Sequence, residues 1–170
     1  MTDADFRDAY QSHKHLLYRF ARRMTGSGEA AEDIVHEGFL LLWRDSARFD
    51  PGRGSMRSFL IGVTRNLALK RISRERHFDE LDEDLVICAS IDPGNRERAE
   101  MVAQAVAALP PLQREALILA EYEELSLEEI SQATGAELAA VKSRLHRARE
   151  NLRRMLAPLL ERKDKAYGTR

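Results

Sequence analysis

From Lys142 to Arg154 stand six Lys and Arg residues, with Glu150 the one acidic residue among them. If Val141, Leu145, Ala148 and Leu152 form the buried stripe of a helix, then Lys142, Ser143, His146, Arg147 and Arg149 gather on its opposite surface. Guanidinium, ammonium, hydroxyl and imidazole donors in that arrangement can bond base edges and phosphates in a DNA groove. A charged helix face is also the ordinary solvated side of a helix. Here, however, the preceding helices are rich in Glu, so positive charge is segregated onto one element, which favours DNA binding.

Two further groups lie in the N-terminal half. Asp33, Glu37, Leu40 and Arg44 share one helix face, and His36, Leu40 and Trp43 overlap its edge. The remaining sides carry Ile34, Val35, Phe39, Leu41 and Leu42, so the helix is apolar nearly all round and is either central to its domain or covered by a partner. Ile34, Phe39, Leu42 and Trp43 read as core, whereas Asp33 and Glu37 do not, because carboxylates are seldom buried unpaired. The second group is Arg57, Arg65, Lys70, Arg71, Arg74 and Arg76 beside a Gly-rich loop, a surface that attracts a nucleic-acid backbone. Phe59 or His77 could stack on an unpaired base there, although Phe59 at helical spacing from Val63 reads as core. The Asn66 amide can pair with a base edge or serve as a cap or solvated group.

No constellation suggests catalysis. His13, His15, His36, His77 and His146 are scattered, and no phosphate-cradling loop is present. Asp33 and Glu37 lie one helical turn apart, which raises a metal-dependent nucleic-acid hydrolase as an alternative, but no further ligand cluster supports a metal. The expectation is a non-enzyme without metal or cofactor.

The elements that must position these groups are all helical. Phe6, Tyr10, His13, Leu17, Phe20 and Met24 step by four and three along a first amphipathic helix, with Arg22 and Arg23 in its last turn and Gly26 as its stop. A second helix is expected from Ser27 or Gly28 to Arg44. Asp50-Pro51-Gly52-Arg53-Gly54 is turn chemistry, after which Ser55 caps a third helix running to about His77, with Phe59, Leu60, Val63 and Leu67 on its buried side. A helix from about Arg96 halts at Pro110-Pro111, and Pro111 opens the next, which runs to about Tyr122. Ser126-Leu127-Glu128-Glu129 is a capping box; a short helix follows, Gly135 breaks it, and a last helix begins near Glu137. The short capped helix, tight turn and longer basic helix make a helix-turn-helix pattern.

Charge marks the boundaries. Residues 1–78 carry 14 Lys and Arg against 10 Asp and Glu, residues 79–100 carry 2 against 8, and residues 101–170 carry 11 against 10, although the whole chain is only −1. The reading is therefore all-α, with two small helical domains at 1–78 and 97–165, an acidic flexible linker at 79–96 and a tail at 166–170. The 170 residues contain no apolar run able to span a membrane, the acidic N-terminus lacks the order of a secretory signal, and a single cysteine, Cys88, cannot form an internal disulfide. A cytoplasmic location is expected.

The residues also resemble a known family. Ala31-Glu32-Asp33-Ile34-Val35-His36-Glu37-Gly38-Phe39 through Leu42-Trp43-Arg44 resembles region 2.2 of extracytoplasmic-function RNA polymerase sigma factors, of the sigma-70 family. Phe49 through Ser55 to Arg65-Asn66-Leu67-Ala68-Leu69 resembles their regions 2.3 and 2.4. Ala108-Leu109-Pro110-Pro111-Leu112-Gln113-Arg114 with Leu125-Ser126-Leu127-Glu128-Glu129-Ile130 resembles region 4.1, and Val141 through Arg149 resembles the region 4.2 recognition helix.

The resemblance implies a sigma factor that binds core RNA polymerase through the beta-prime clamp and the beta flap and directs initiation at particular promoters. Asp33, His36, Glu37 and Leu40 would bind the clamp. Arg53, Ser55, Arg65, Asn66, Lys70 and Arg74 would open and read the minus-ten element, where a flipped base is captured. Lys142, Ser143, Arg144, His146, Arg147 and Arg149 would read the minus-35 element. A separate anti-sigma factor would regulate the protein, which is expected to be monomeric when free. Three departures bear on promoter preference: Glu137-Leu138-Ala139-Ala140 replaces the usual Pro-x-Gly-Thr, Lys70 a common Asp, and Phe59 a common Trp. The competing reading is a one-component helix-turn-helix regulator, which accounts for the C-terminus but leaves the N-terminal domain without a ligand pocket or dimer seam.

Overall fold

The computed structural model describes residues 1–75 and 98–167, with side-chain surroundings for 1–75 and 98–158; the expected acidic linker lies outside the described residues. Seven helices are described: α1 (Asp3–Thr25), α2 (Gly28–Arg44), α3 (Met56–Glu75), α4 (Arg98–Ala108), α5 (Pro111–Leu117), α6 (Leu127–Thr134) and α7 (Leu138–Tyr167), with a short 3₁₀ turn at Ser46–Arg48. A π-helical turn, Ile118–Tyr122, prolongs α5 to the end expected from the sequence. The last helix runs through Tyr167, so the segment read as a tail from 166 begins as helix.

The helix ends follow the local chemistry. Thr2 and Asp5 form a capping box on α1, and Gly26 closes it in the left-handed conformation at φ 74°, which costs glycine no Cβ clash. The Ser55 hydroxyl accepts the Ser58 N–H at 3.1 Å at the start of α3. At α6 the Ser126 hydroxyl accepts the Glu129 N–H, and the Glu129 carboxylate accepts the Ser126 N–H at 2.7 Å, a bond that holds the Glu129 carboxyl below its ordinary range. Because the folded state favours the ionised form, this contribution is present at neutral pH and is lost as pH falls through the lowered folded value. Ser126→Ala is expected to cost about 1 kcal/mol in a urea melt at neutral pH.

Helices α1, α2 and α3 form one bundle around Leu17, Phe20, Met24, Phe39, Leu42 and Leu60. Gly38 of α2 faces Val63 and Thr64 of α3, and a Cβ there would meet them in ordinary van der Waals contact at 3.7 and 3.8 Å. Helix α3 is rotated from the expected register. Leu60, Ile61, Thr64, Ala68 and Ile72 are buried, whereas Phe59, Val63 and Leu67 are only half-buried. The reason is that α3 has neighbours on two sides, α1 and α2 on one and α6 on the other, so no single apolar stripe defines its inside.

Helices α4 to α7 form the second unit around Leu109, Ile118, Leu119, Ile130, Val141 and Leu145. A buried amide pair fixes α7 on α5, with Asn151 Nδ2 donating to Gln113 Oε1 at 2.7 Å. The two units pack against each other through α3 on α6 and α1 on α4 and α5.

Candidate nucleic-acid interface

In the helix-turn-helix, Gly135 takes the left-handed conformation (φ 71°) between α6 and α7. Val141, Leu145 and Ala148 are buried and Leu152 is partly buried, so the inward stripe is the expected one. Lys142, His146, Arg147 and Arg149 are exposed and Ser143 half-exposed. Arg147 donates to the Ser143 hydroxyl at 3.0 Å, one turn away, and Arg149 is held by Glu121. Arg144 is different: its side chain is 17% exposed and lies 3.9 Å from the Glu115 carboxylate.

In the first bundle, Asp33, His36, Glu37, Leu40 and Arg44 are all exposed on α2. Asp33 approaches Arg71 of α3 at 3.8 Å, a solvent-exposed pair that adds little stability. Trp43 corrects the sequence reading. It is 51% exposed, with one edge on Phe6 at a ring separation of 4.9 Å. The helix turns Ile34, Val35, Phe39 and Leu42 into the bundle, which leaves Trp43 and Leu40 at its rim.

The loop after α2 and the face of α3 enclose a cavity of about 340 Å³. Arg53, Ser55, Phe59 and Asn66 line it, together with Gln132 and Ala133 of α6. Asn66, Lys70 and Arg74 then follow at four-residue spacing along one exposed line of α3. Arg65 does not share that line: it gives a bidentate pair to Glu115, Nε to Oε2 at 2.7 Å and Nη2 to Oε1 at 3.0 Å.

Sequence reasoning missed the two buried carboxylates that join the units. Glu115 receives Arg65 from the first bundle and Arg144 from its own. Glu123, also 1% exposed in its side chain, receives Arg19 at 2.7 Å and Arg23 at 3.6 Å, while its backbone carbonyl accepts from Arg57 at 3.0 Å. Glu115 follows Gln113 and Arg114 in a stretch of mixed polarity, so no local pattern marked it as buried, and none marked Glu123. A second cavity, of about 680 Å³, opens between α1 and α4 beside Arg19, Arg22, Arg23 and Tyr122, away from the loop pocket. Among the described residues no acidic, His or Cys cluster is arranged to hold a metal, and no helix is long and apolar enough to cross a membrane.

A basic recognition helix in a helix-turn-helix, joined to a helical bundle with a loop pocket and an exposed aromatic rim, defines a two-unit nucleic-acid-binding protein of the transcription type. Residues 9–78 match the family Sigma-70 region 2, and residues 99–152 match Sigma-70, region 4. The chain is 31% identical over 158 residues to the RNA polymerase sigma factor CarQ of Myxococcus xanthus, covering 91% of this chain and 90% of that protein. It is 34% identical over 156 residues to the ECF RNA polymerase sigma factor SigE of Mycolicibacterium smegmatis, covering 86% of this chain but spanning only 60% of that longer relative. The fold matches the sigma factor RpoE of Bartonella quintana, solved in complex with the anti-sigma factor NepR, with TM-score 0.70 and 23% identity over 90% of this chain and 97% of that one. The chain belongs to the sigma-70 family of RNA polymerase sigma factors, in its extracytoplasmic-function group. It is a transcription initiation factor and not an enzyme.

Proposed function

We propose that this chain binds core RNA polymerase through the exposed α2 face of Asp33, His36, Glu37 and Leu40, and reads a two-part promoter with its two helical units. In this reading Arg53, Ser55, Arg65, Asn66, Lys70 and Arg74 contact the minus-ten element, with an unpaired base entering the loop pocket. Lys142, Ser143, Arg144, His146, Arg147 and Arg149 contact the minus-35 element. The domains divide accordingly at 1–78 and 97–165. The protein works in the cytoplasm as a monomer until it joins polymerase, and a separate anti-sigma factor restrains it, as the complex with NepR suggests by likeness.

The observation that carries the reading is the recognition helix, where Val141, Leu145 and Ala148 are buried and the basic donors beside them face outward. Its test is run-off transcription with purified core polymerase on a promoter library, where the chain is expected to select a discrete set of start sites. DNA binding without polymerase-dependent initiation would favour a one-component regulator instead. Glu37→Arg gives the sharper check on α2. Glu37 is exposed, so reversal leaves the fold intact, and affinity for core polymerase is expected to fall by at least about tenfold as attraction on a complementary patch becomes repulsion. Unchanged affinity with unchanged helicity removes Glu37 from the interface.

A further inference from the structure

One group of contacts between the two units falls on the surfaces proposed for DNA. Helix α6 closes one side of the loop pocket: Gln132 Nε2 donates to the Arg53 carbonyl at 2.8 Å. Its C-terminal turn lies directly on α3, where a Cβ at Gly62 would stand 2.8 Å from the Ala133 carbonyl oxygen. Backbone against backbone at that distance leaves no room for a base. Meanwhile Arg65 and Arg144, one from each proposed promoter-reading surface, converge on the single carboxylate of Glu115.

We propose that the C-terminal unit is an intramolecular competitor of single-stranded DNA: α6, through Gln132 and the Ala133 turn, occupies the mouth of the loop pocket, and Glu115 stands in for phosphate on Arg65. This rests on the reading of the pocket as the site of an unpaired base. The chemistry is matched on both counts. An amide that bonds the Arg53 carbonyl offers the same type of donor as a base edge, and a bidentate carboxylate on guanidinium has the geometry of a bound phosphate. Glu123 closes the seam at the far end, where Arg19, Arg23 and Arg57 of the first bundle all reach it. Opening returns the carboxylates to water and releases Arg65 to a phosphate, so DNA replaces one of the charge pairs that hold the closed form. Gly62 is the residue that permits the contact, since any side chain there would push the Ala133 backbone away.

Two opening variants of the full chain test this. Gly62→Ala places a methyl group against the Ala133 carbonyl and otherwise suits a helix. Arg19→Glu, remote from the loop pocket, sets two carboxylates against each other at Glu123. Dyes on Ser12→Cys and Glu128→Cys, in a Cys88→Ser background, report the separation of the units, and circular dichroism reports helix content. Both variants are expected to lengthen the dye separation and tighten binding of a short random-sequence single-stranded DNA pool. If the open form is about a tenth of the wild-type population, the gain is about tenfold. For Arg19→Glu the added negative charge opposes DNA binding, so a gain there reports opening rather than electrostatics. Unchanged separation in both folded variants overturns the proposal, as does separation without any gain in affinity. Asn66→Ala in the Gly62→Ala background separates the underlying reading: undiminished affinity shows that single strands do not use the loop pocket, while the dye separation still decides whether the units close.

Discussion

Trp43→Ala is expected to weaken binding to core RNA polymerase by about thirtyfold or more while leaving the bundle folded. Trp43 is half exposed at the rim of α2, Leu40 beside it is 37% exposed, and the exposed Tyr10 ring stands 4.8 Å from Phe39 at the same end of the bundle. An aromatic side chain presented in this way is the type of residue that dominates interfaces, where truncation commonly costs 2 kcal/mol or more, about a thirtyfold change in affinity. The acidic residues on the same face act differently. On the proposed interface Asp33 and Glu37 are expected to steer and orient, so that their loss falls chiefly on the association rate, whereas loss of the indole falls on dissociation. Some stability is lost as well, because one edge of the ring rests on Phe6. A thermal melt on the same sample separates the two effects. Unaltered polymerase affinity in a folded Trp43→Ala protein would move the interface away from this rim.

Arg147→Ala is expected to abolish sequence preference at the upstream promoter element with the melting temperature nearly kept. The side chain is exposed, two residues past the buried Leu145, and donates to the Ser143 hydroxyl one turn back on the same helix. A bidentate arginine contact to guanine contributes about 1 to 3 kcal/mol of base discrimination, against about 0.5 kcal/mol or less for an exposed substitution's effect on stability. Binding measured on matched and mismatched DNA across a salt series distinguishes the modes of contact. If Arg147 meets only phosphate, affinity falls about equally on all sequences and the salt slope drops by roughly one. A loss of thermal stability with neither binding effect would show that Arg147 supports α7 rather than reading DNA.

Much of the fold was legible because its signals are local. Ser55 and Ser126 as caps, Gly26 and Gly135 as stops, Pro111 as a first helical residue and the Val141–Leu145–Ala148 stripe each act within a turn or two of chain, and each stands as read. The exposed α2 carboxylates were legible for a related reason: an unpaired carboxylate has few places to go but outward. The misreadings involve residues whose surroundings are set by distant chain. Trp43 looked like core because α2 is apolar on nearly every side, and periodicity alone does not say which side its neighbours cover. Phe59, Val63 and Leu67 looked like the inner face of α3 because the sequence does not reveal that α6 would pack on a second face.

The sequence by itself determined the helices, their ends, the helix-turn-helix and the segregation of basic charge, through propensity, capping and periodicity that depend on neighbouring residues alone. Only the tertiary structure decided which arginines are exposed and which are held against buried carboxylates across the two units. Arg65 meets Glu115 across 50 positions and Arg19 meets Glu123 across 104. Such pairs form because packing of two units buries a carboxylate and requires a cation beside it, and that demand arises only once the chain has folded.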